Sequence, residues 1–132
     1  MPRLDYFLVA DSVSVDKDRN TLSVFHVLEE WPSRLPLVIP SLVAVSSWTL
    51  EAEDMGRDFQ ATLEIRSPSK RQLPDFESFS VNFTADRRRY RTSHFVRGLR
   101  VEEAGELEFR ILLNGEYKAS HYVWIVADEE AT

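Results

Sequence analysis

Apolar and polar residues alternate with a period of two along much of this chain, and that pattern limits what it can fold into. In FQATLEIR, Phe59, Ala61, Leu63 and Ile65 share one face while Gln60, Thr62, Glu64 and Arg66 share the other. LEFRILLN repeats the pattern, with Leu107, Phe109, Ile111 and Leu113 opposed to Glu108, Arg110 and Asn114. FSVNFT sets Phe79, Val81 and Phe83 against Ser80, Asn82 and Thr84. Successive side chains of a strand point to opposite faces, so these segments read as half-buried strands of antiparallel sheets. No segment carries a 3.6-residue apolar stripe long enough for a stable helix.

The turns agree with that reading. Asn114-Gly115 suits a type I′ hairpin, which needs positive φ at both central residues, and joins the Leu107 strand to a last strand over residues 117–126. DMGRD, residues 54–58, links a strand over residues 42–53 to the Phe59 strand. SPSKRQLPDF, residues 67–76, reads as a longer polar loop. EEWPSRLPLVIP, residues 29–40, holds three prolines and is excluded from a central strand. It reads as an extended crossing between sheets. About eight strands with frequent turns imply an all-β chain. The expectation is a single-domain antiparallel β-sandwich over residues 1–132, Greek-key-like in its connections.

VSVDKDRNTLSV, residues 13–24, spaces Asp16, Asp18 and Asn20 like the first ligands of a calcium loop. Such a loop needs Gly at its sixth position and Glu at its twelfth. Counting from Asp16, Thr21 and Val27 stand there. Asp and Asn also favour turns through bonds to the local backbone, so the stretch reads as a hairpin between two strands.

A length of 132 residues supports one core without staples. The chain has no cysteine, which removes disulfides, thiolate zinc sites and cysteine nucleophiles and fits a reducing compartment. The apolar run near the start is interrupted by Asp5 and Asp11 and is too short to span a membrane. These features imply a soluble, cytoplasmic protein without a membrane partner. A net charge of −6 removes any global attraction to nucleic acid or anionic lipid.

Three landmarks together carry a resemblance: the opening DYFLVADSVSVD…NTLSVFHV, the proline-rich crossing, and the ending GLRVEEAGELEFRILLNGE. In these the chain resembles a family of small uncharacterised bacterial proteins, a domain of unknown function. The resemblance implies a β-sandwich. It brings no activity, cofactor or catalytic residue, and the charged ADRRRYRTSHF segment lies outside it.

Candidate functional residues are scattered. His26, His94 and His121 lie on separate strands without the local pairing usual in zinc sites. Glu51 and Glu53 fall on one side of the expected strand over residues 42–53, where two carboxylates could do acid–base work. No glycine-rich phosphate loop, GxSxG elbow or Walker motif is present. An enzyme with a site assembled from these His and Glu residues is the alternative to a non-enzyme. No cofactor is implied.

The sharpest local feature is ADRRRYRTSHFVRGLR, residues 85–100, with six arginines against Asp86. Arg87, Arg88, Arg89, Tyr90 and Arg91 form its candidate partner-binding core, since arginines beside an aromatic can bind phosphates or stack on bases. Residues 101–132 hold eight acids and two bases. The expected outcome is charge pairing between neighbouring strands, or a basic patch meeting an acidic patch on another copy or another protein. A polyanion remains open as a partner, although the net charge argues against nucleic acid. Trp31, Trp48 and Trp124 could line a sugar-binding face but share no pattern.

Two strands are apolar on both faces. The first shows Leu4, Tyr6 and Leu8 on one side and Phe7 and Val9 on the other. The last shows His121, Val123 and Ile125 against Tyr122, Trp124 and Val126. Sandwich strands normally show one face to water, so either the proline crossing or a second protomer should cover the other. The chain thus reads as a non-enzymatic protein-binding or scaffold module of unknown function that self-associates, as a homodimer formed partly through these strands.

Overall fold

A computed structural model describes residues 1–69 and 78–128, so most of the expected 67–76 loop and the last residues lie outside it. Among the described residues the chain is all-β, with nine strands where about eight were expected. They are β1 (Arg3–Asp16), β2 (Thr21–Val27), β3 (Glu30–Ser33), β4 (Leu37–Thr49), β5 (Asp58–Arg66), β6 (Phe79–Thr84), β7 (Arg89–Val101), β8 (Gly105–Leu113) and β9 (Glu116–Ala127). A four-stranded sheet runs β2-β1-β4-β7, and a five-stranded sheet runs β3-β9-β8-β5-β6. Strands distant in sequence lie side by side, β1 with β4, β4 with β7 and β5 with β8, the interleaving of Greek-key-like connections. Among the described residues, no helix is long and apolar enough to cross a membrane.

The alternating residues build the core between the sheets. Ala61, Leu63 and Ile65 of β5 and Leu107, Phe109, Ile111 and Leu113 of β8 have no exposed surface. They face Val9, Leu42, Ala44, Trp48 and Val96 of the other sheet. Packed this way, apolar surface leaves water at roughly 25 cal/mol per Å², the main force holding the two sheets together.

The proline-rich crossing does pass between sheets, but its ends are strands. β3, containing Pro32, is an edge strand beside β9. The pair is parallel, a departure from the antiparallel expectation. Pro40 sits in β4, opposite Gly98 of β7, before β4 acquires β1 as its second neighbour at Val43. Proline removes a ladder donor, so it is tolerated where the strand has a partner on one side only. Both strands also switch faces there. Ile39 and Leu42 are buried with Pro40 and Ser41 exposed between them, and Val96 and Leu99 are buried with Arg97 and Gly98 between them. The register does not slip.

The first hairpin accounts for the second apolar face of β1. β1 pairs with β4 only as far as Ala10, and beyond that point with β2 alone. His26, at a φ of 57°, falls between the Ala10–Val27 and Ser12–Phe25 pairs and marks the bend. The tip residue Asn20 then reaches Arg91 of β7, with 2.7 Å between Arg91 Nη2 and Asn20 Oδ1. β2 and β7 are opposite edges of their sheet, about 14 Å apart at the usual strand spacing. The contact therefore requires the hairpin to fold back over the outer face. Beneath it, Ala10, Val43, Val45 and Ser47 point outward and are nonetheless buried. Val13, Leu22 and Val24, half-buried, form the covering side. Within the chain it is the hairpin, not the proline crossing, that covers this face.

The two expected turns stand as read. Asp16 Oδ1 accepts the backbone N–H groups of Asp18 and Arg19 at 3.0 and 3.4 Å, so this carboxylate serves the hairpin turn. Asn114 and Gly115 have φ values of 49° and 81°, as a type I′ turn needs.

Candidate functional site

The basic segment lies in the four-stranded sheet and the acidic segment after it in the five-stranded sheet. Adjacent in sequence, β7 and β8 are not neighbours, so the expected charge pairing across one sheet does not occur. The arginines find other partners. Arg89 Nη2 lies 3.3 Å from Asp5 Oδ2 on β1. Asp5 also accepts the Thr49 hydroxyl at 2.6 Å. That hydroxyl, with Arg3 and Arg89 close by, holds the Asp5 carboxyl below the usual carboxylate range. Arg91 donates to the carbonyl oxygen of Asn20 at 3.1 Å and to its side-chain oxygen, both neutral acceptors. Arg87 meets its neighbour Asp86 at 3.2 Å in open solvent.

Arg87, Arg89 and Arg91 line a cleft of about 440 Å³ beneath the hairpin tip, together with Tyr6 of the sheet and Val15 and Leu22 of the hairpin. Of the other two members of the sequence-based set, Tyr90 also borders the cleft and Arg88 does not. Tyr90 turns inward and stacks on Phe83 with ring centroids 4.4 Å apart, as part of the core packing. Arg88 serves through its carbonyl, which accepts the Leu50 N–H at 2.7 Å.

Further along β7, Phe95 is 63% exposed on the same outer face, with Arg97 two residues on. On the opposite side of the molecule the charge is mixed, with Arg66 and Arg110 in register with Glu108 and Glu64, and is reversed locally around one aromatic. Trp124 of β9, 50% exposed, is flanked in register by Glu30 of β3 and Glu106 of β8. Tyr122, two residues before it, is also exposed. Each outer face thus sets a large exposed aromatic among charges of one sign. Sequence reasoning noticed the arginines and Trp124 but missed Phe95, because either Phe95 or Val96 could have been the inward residue.

The scattered acid–base candidates do not converge. His94 is buried between the sheets, its Nε2 donating to the Ala61 carbonyl at 3.1 Å. His121 Nε2 lies 2.6 Å from the Leu28 carbonyl, and His26 is exposed in the folded-back hairpin. Glu51 and Glu53 are not on a strand. β4 ends at Thr49, and Glu51 caps a short 3-10 turn, Ala52–Asp54, in which Asp54 accepts the Glu51 N–H at 2.8 Å. That bond holds the Asp54 carboxyl below its usual range. Among the described residues, no group of three His, Asp or Glu side chains is arranged to hold a metal ion. The tryptophans are dispersed: Trp48 is fully buried and donates to Ser46 Oγ, Trp31 packs on the core, and Trp124 alone of the three is exposed.

No curated protein matches the sequence closely enough to lend it an activity. A family model does match, over residues 5–125, which spans both sheets. The chain belongs to the family of unknown function DUF6941.

Proposed function

We propose that this chain is a non-enzymatic, protein-binding module that self-associates, the basic aromatic patch of one copy seating on the acidic aromatic patch of the next. The observation that carries the reading is the placement of exposed aromatics within opposite charges on opposite sheets: Phe95 beside Arg97, and Trp124 between Glu30 and Glu106. Aromatic anchors ringed by complementary charge are the usual makeup of an interface hot spot. β9 keeps the role expected of it, while β1 gives way to β7. A homodimer is the smallest product of such a contact. The absence of cysteine supports a cytoplasmic setting.

Because the two faces differ, the contact is heterologous, and it can be tested by mixing variants. Light scattering of the wild type should show an average mass that rises with concentration and falls with salt. Phe95→Glu and Trp124→Lys should each be monomeric. Mixed, they should form a discrete two-chain species through the one pair of intact faces. A wild type that stays monomeric at several hundred micromolar, or a mixture that stays monomeric, would sink the reading.

A further inference from the structure

We infer that the cleft beneath the hairpin tip binds a small organic phosphate monoester, its phosphoryl group on the arginines and its organic part on the apolar lining. The inference is independent of the self-association surface. Its first support is uncompensated charge. Among the described residues Arg91 is held only by neutral oxygens of Asn20, so its charge has no carboxylate partner there. Arg89 shares the single Asp5 carboxylate with Arg3. Counting Arg3, Arg87, Arg89 and Arg91 against Asp5 and Asp86 leaves +2 at this place, in a chain of net charge −6. A dianion answers that excess.

The second support is geometry. Arg89 and Arg91 are two residues apart on β7 and share a face, about 6.6 Å apart along the strand. Asn20 holds the Arg91 guanidinium at two points before any ligand arrives, and Asp5 draws Arg89 to the same side through one contact. Guanidinium forks match the terminal oxygens of a phosphoryl group, and prior fixing lowers the ordering cost of binding. Arg87, paired among the described residues only with the adjacent Asp86 in solvent, can swing in as a third fork. The third support is the apolar lining. Val15, Leu22 and the ring of Tyr6 offer an organic group apolar surface, within a volume in the usual range for small-molecule sites.

The test is calorimetric titration of the full chain at physiological salt with a nucleoside 5′-monophosphate, the corresponding nucleoside, inorganic phosphate and a single-stranded oligonucleotide. The monophosphate should bind saturably at 1:1, tighter than either the nucleoside or inorganic phosphate. Arg91→Met should weaken it about tenfold or more, as loss of a charge-assisted pair does. Arg87→Met, at an exposed position that supports no fold contact, should weaken it several-fold, which keeps the test valid if Arg91→Met loosens the hairpin. Arg97→Met, outside the cleft, should leave it unchanged. The inference is overturned by absence of saturable binding at millimolar monophosphate, by inorganic phosphate binding equally well, by heat with the oligonucleotide alone, or by indifference to Arg87→Met.

Discussion

His94 makes stability depend on pH in a direction that its surroundings fix. The imidazole has no exposed surface, its Nε2 faces the Ala61 carbonyl, and Phe79 meets it edge-on at 4.8 Å. A carbonyl only accepts, so the ring proton sits on Nε2 and leaves Nδ1 bare. Nδ1 is buried without a partner. Protonating it would place a charge and an unpaired N–H in an apolar site. Burial accordingly pushes the His94 pKa down, against a smaller opposite pull from the Ala61 carbonyl. The unfolded chain titrates near 6.5. Above that value the group's contribution to stability is fully present. As pH falls below it, the unfolded state takes up a proton that the fold refuses, and stability declines until the folded pKa is reached. The ceiling is about 1.4 kcal/mol per pH unit, so up to about 1.4 kcal/mol is lost between pH 8 and 5.5. Urea unfolding followed by tryptophan fluorescence at several pH values reads this directly. His94→Phe provides the reference: it costs about 1–3 kcal/mol through the lost bond to Ala61, and its difference from wild type should shrink on acidification. A difference that stays constant from pH 8 to 5.5 refutes the argument.

Two substitutions test the folded-back hairpin and a close approach. Val45 and Phe95 both point to the outer face of the four-stranded sheet, yet Val45 is fully buried and Phe95 is open. Val45→Asp should cost more than about 3 kcal/mol or abolish folding, whereas Phe95→Asp should stay within about 1 kcal/mol, measured by urea midpoint; equal small effects would mean that the hairpin does not cover the sheet. At Gly105, φ is 122° and an added Cβ would meet Pro68 Cβ at 2.9 Å. Gly105→Ala should therefore lower stability by about 1–3 kcal/mol in the same assay, and a neutral result would show that the start of β8 yields at little cost.

What the sequence made legible was local. Alternation in β5 and β8 depends on neighbours two residues apart, and every inward residue it named, from Phe59 to Ile65 and from Leu107 to Leu113, is buried. The type I′ turn at Asn114 is local in the same sense. Sheet membership is not, and the error over charge pairing follows: β7 and β8 are joined by a short turn but separated by the whole core. The apolar second face of β1 correctly signalled a missing cover, but the covering element was the far end of the same hairpin. The bend falls at positions whose residues, Asp11 and His26, are ordinary in strands that run on. Glu51 is the miss that was avoidable. An acid followed three residues later by another, after Leu50, is the pattern of a capping interaction, and it ends β4 where alternation alone ran on to Glu53.

The candidate site inherits its layout from one strand. β7 sends Thr92, His94 and Val96 inward, and Arg91, Ser93, Phe95 and Arg97 outward, before the face switch at Gly98. The arginine cleft and the aromatic contact point are therefore four residues apart on a rigid ladder, about 13 Å at strand rise. That exceeds the Debye length of about 8 Å at physiological salt, so charge neutralised in the cleft is screened from the Phe95–Arg97 surface. The mechanical route is separate as well, since an anion competing with Asn20 for Arg91 pulls on the hairpin tip, while Phe95 is held through β4. On this geometry a ligand in the cleft and a partner on the aromatic face bind independently at physiological salt, and coupling between them should grow only as ionic strength is lowered.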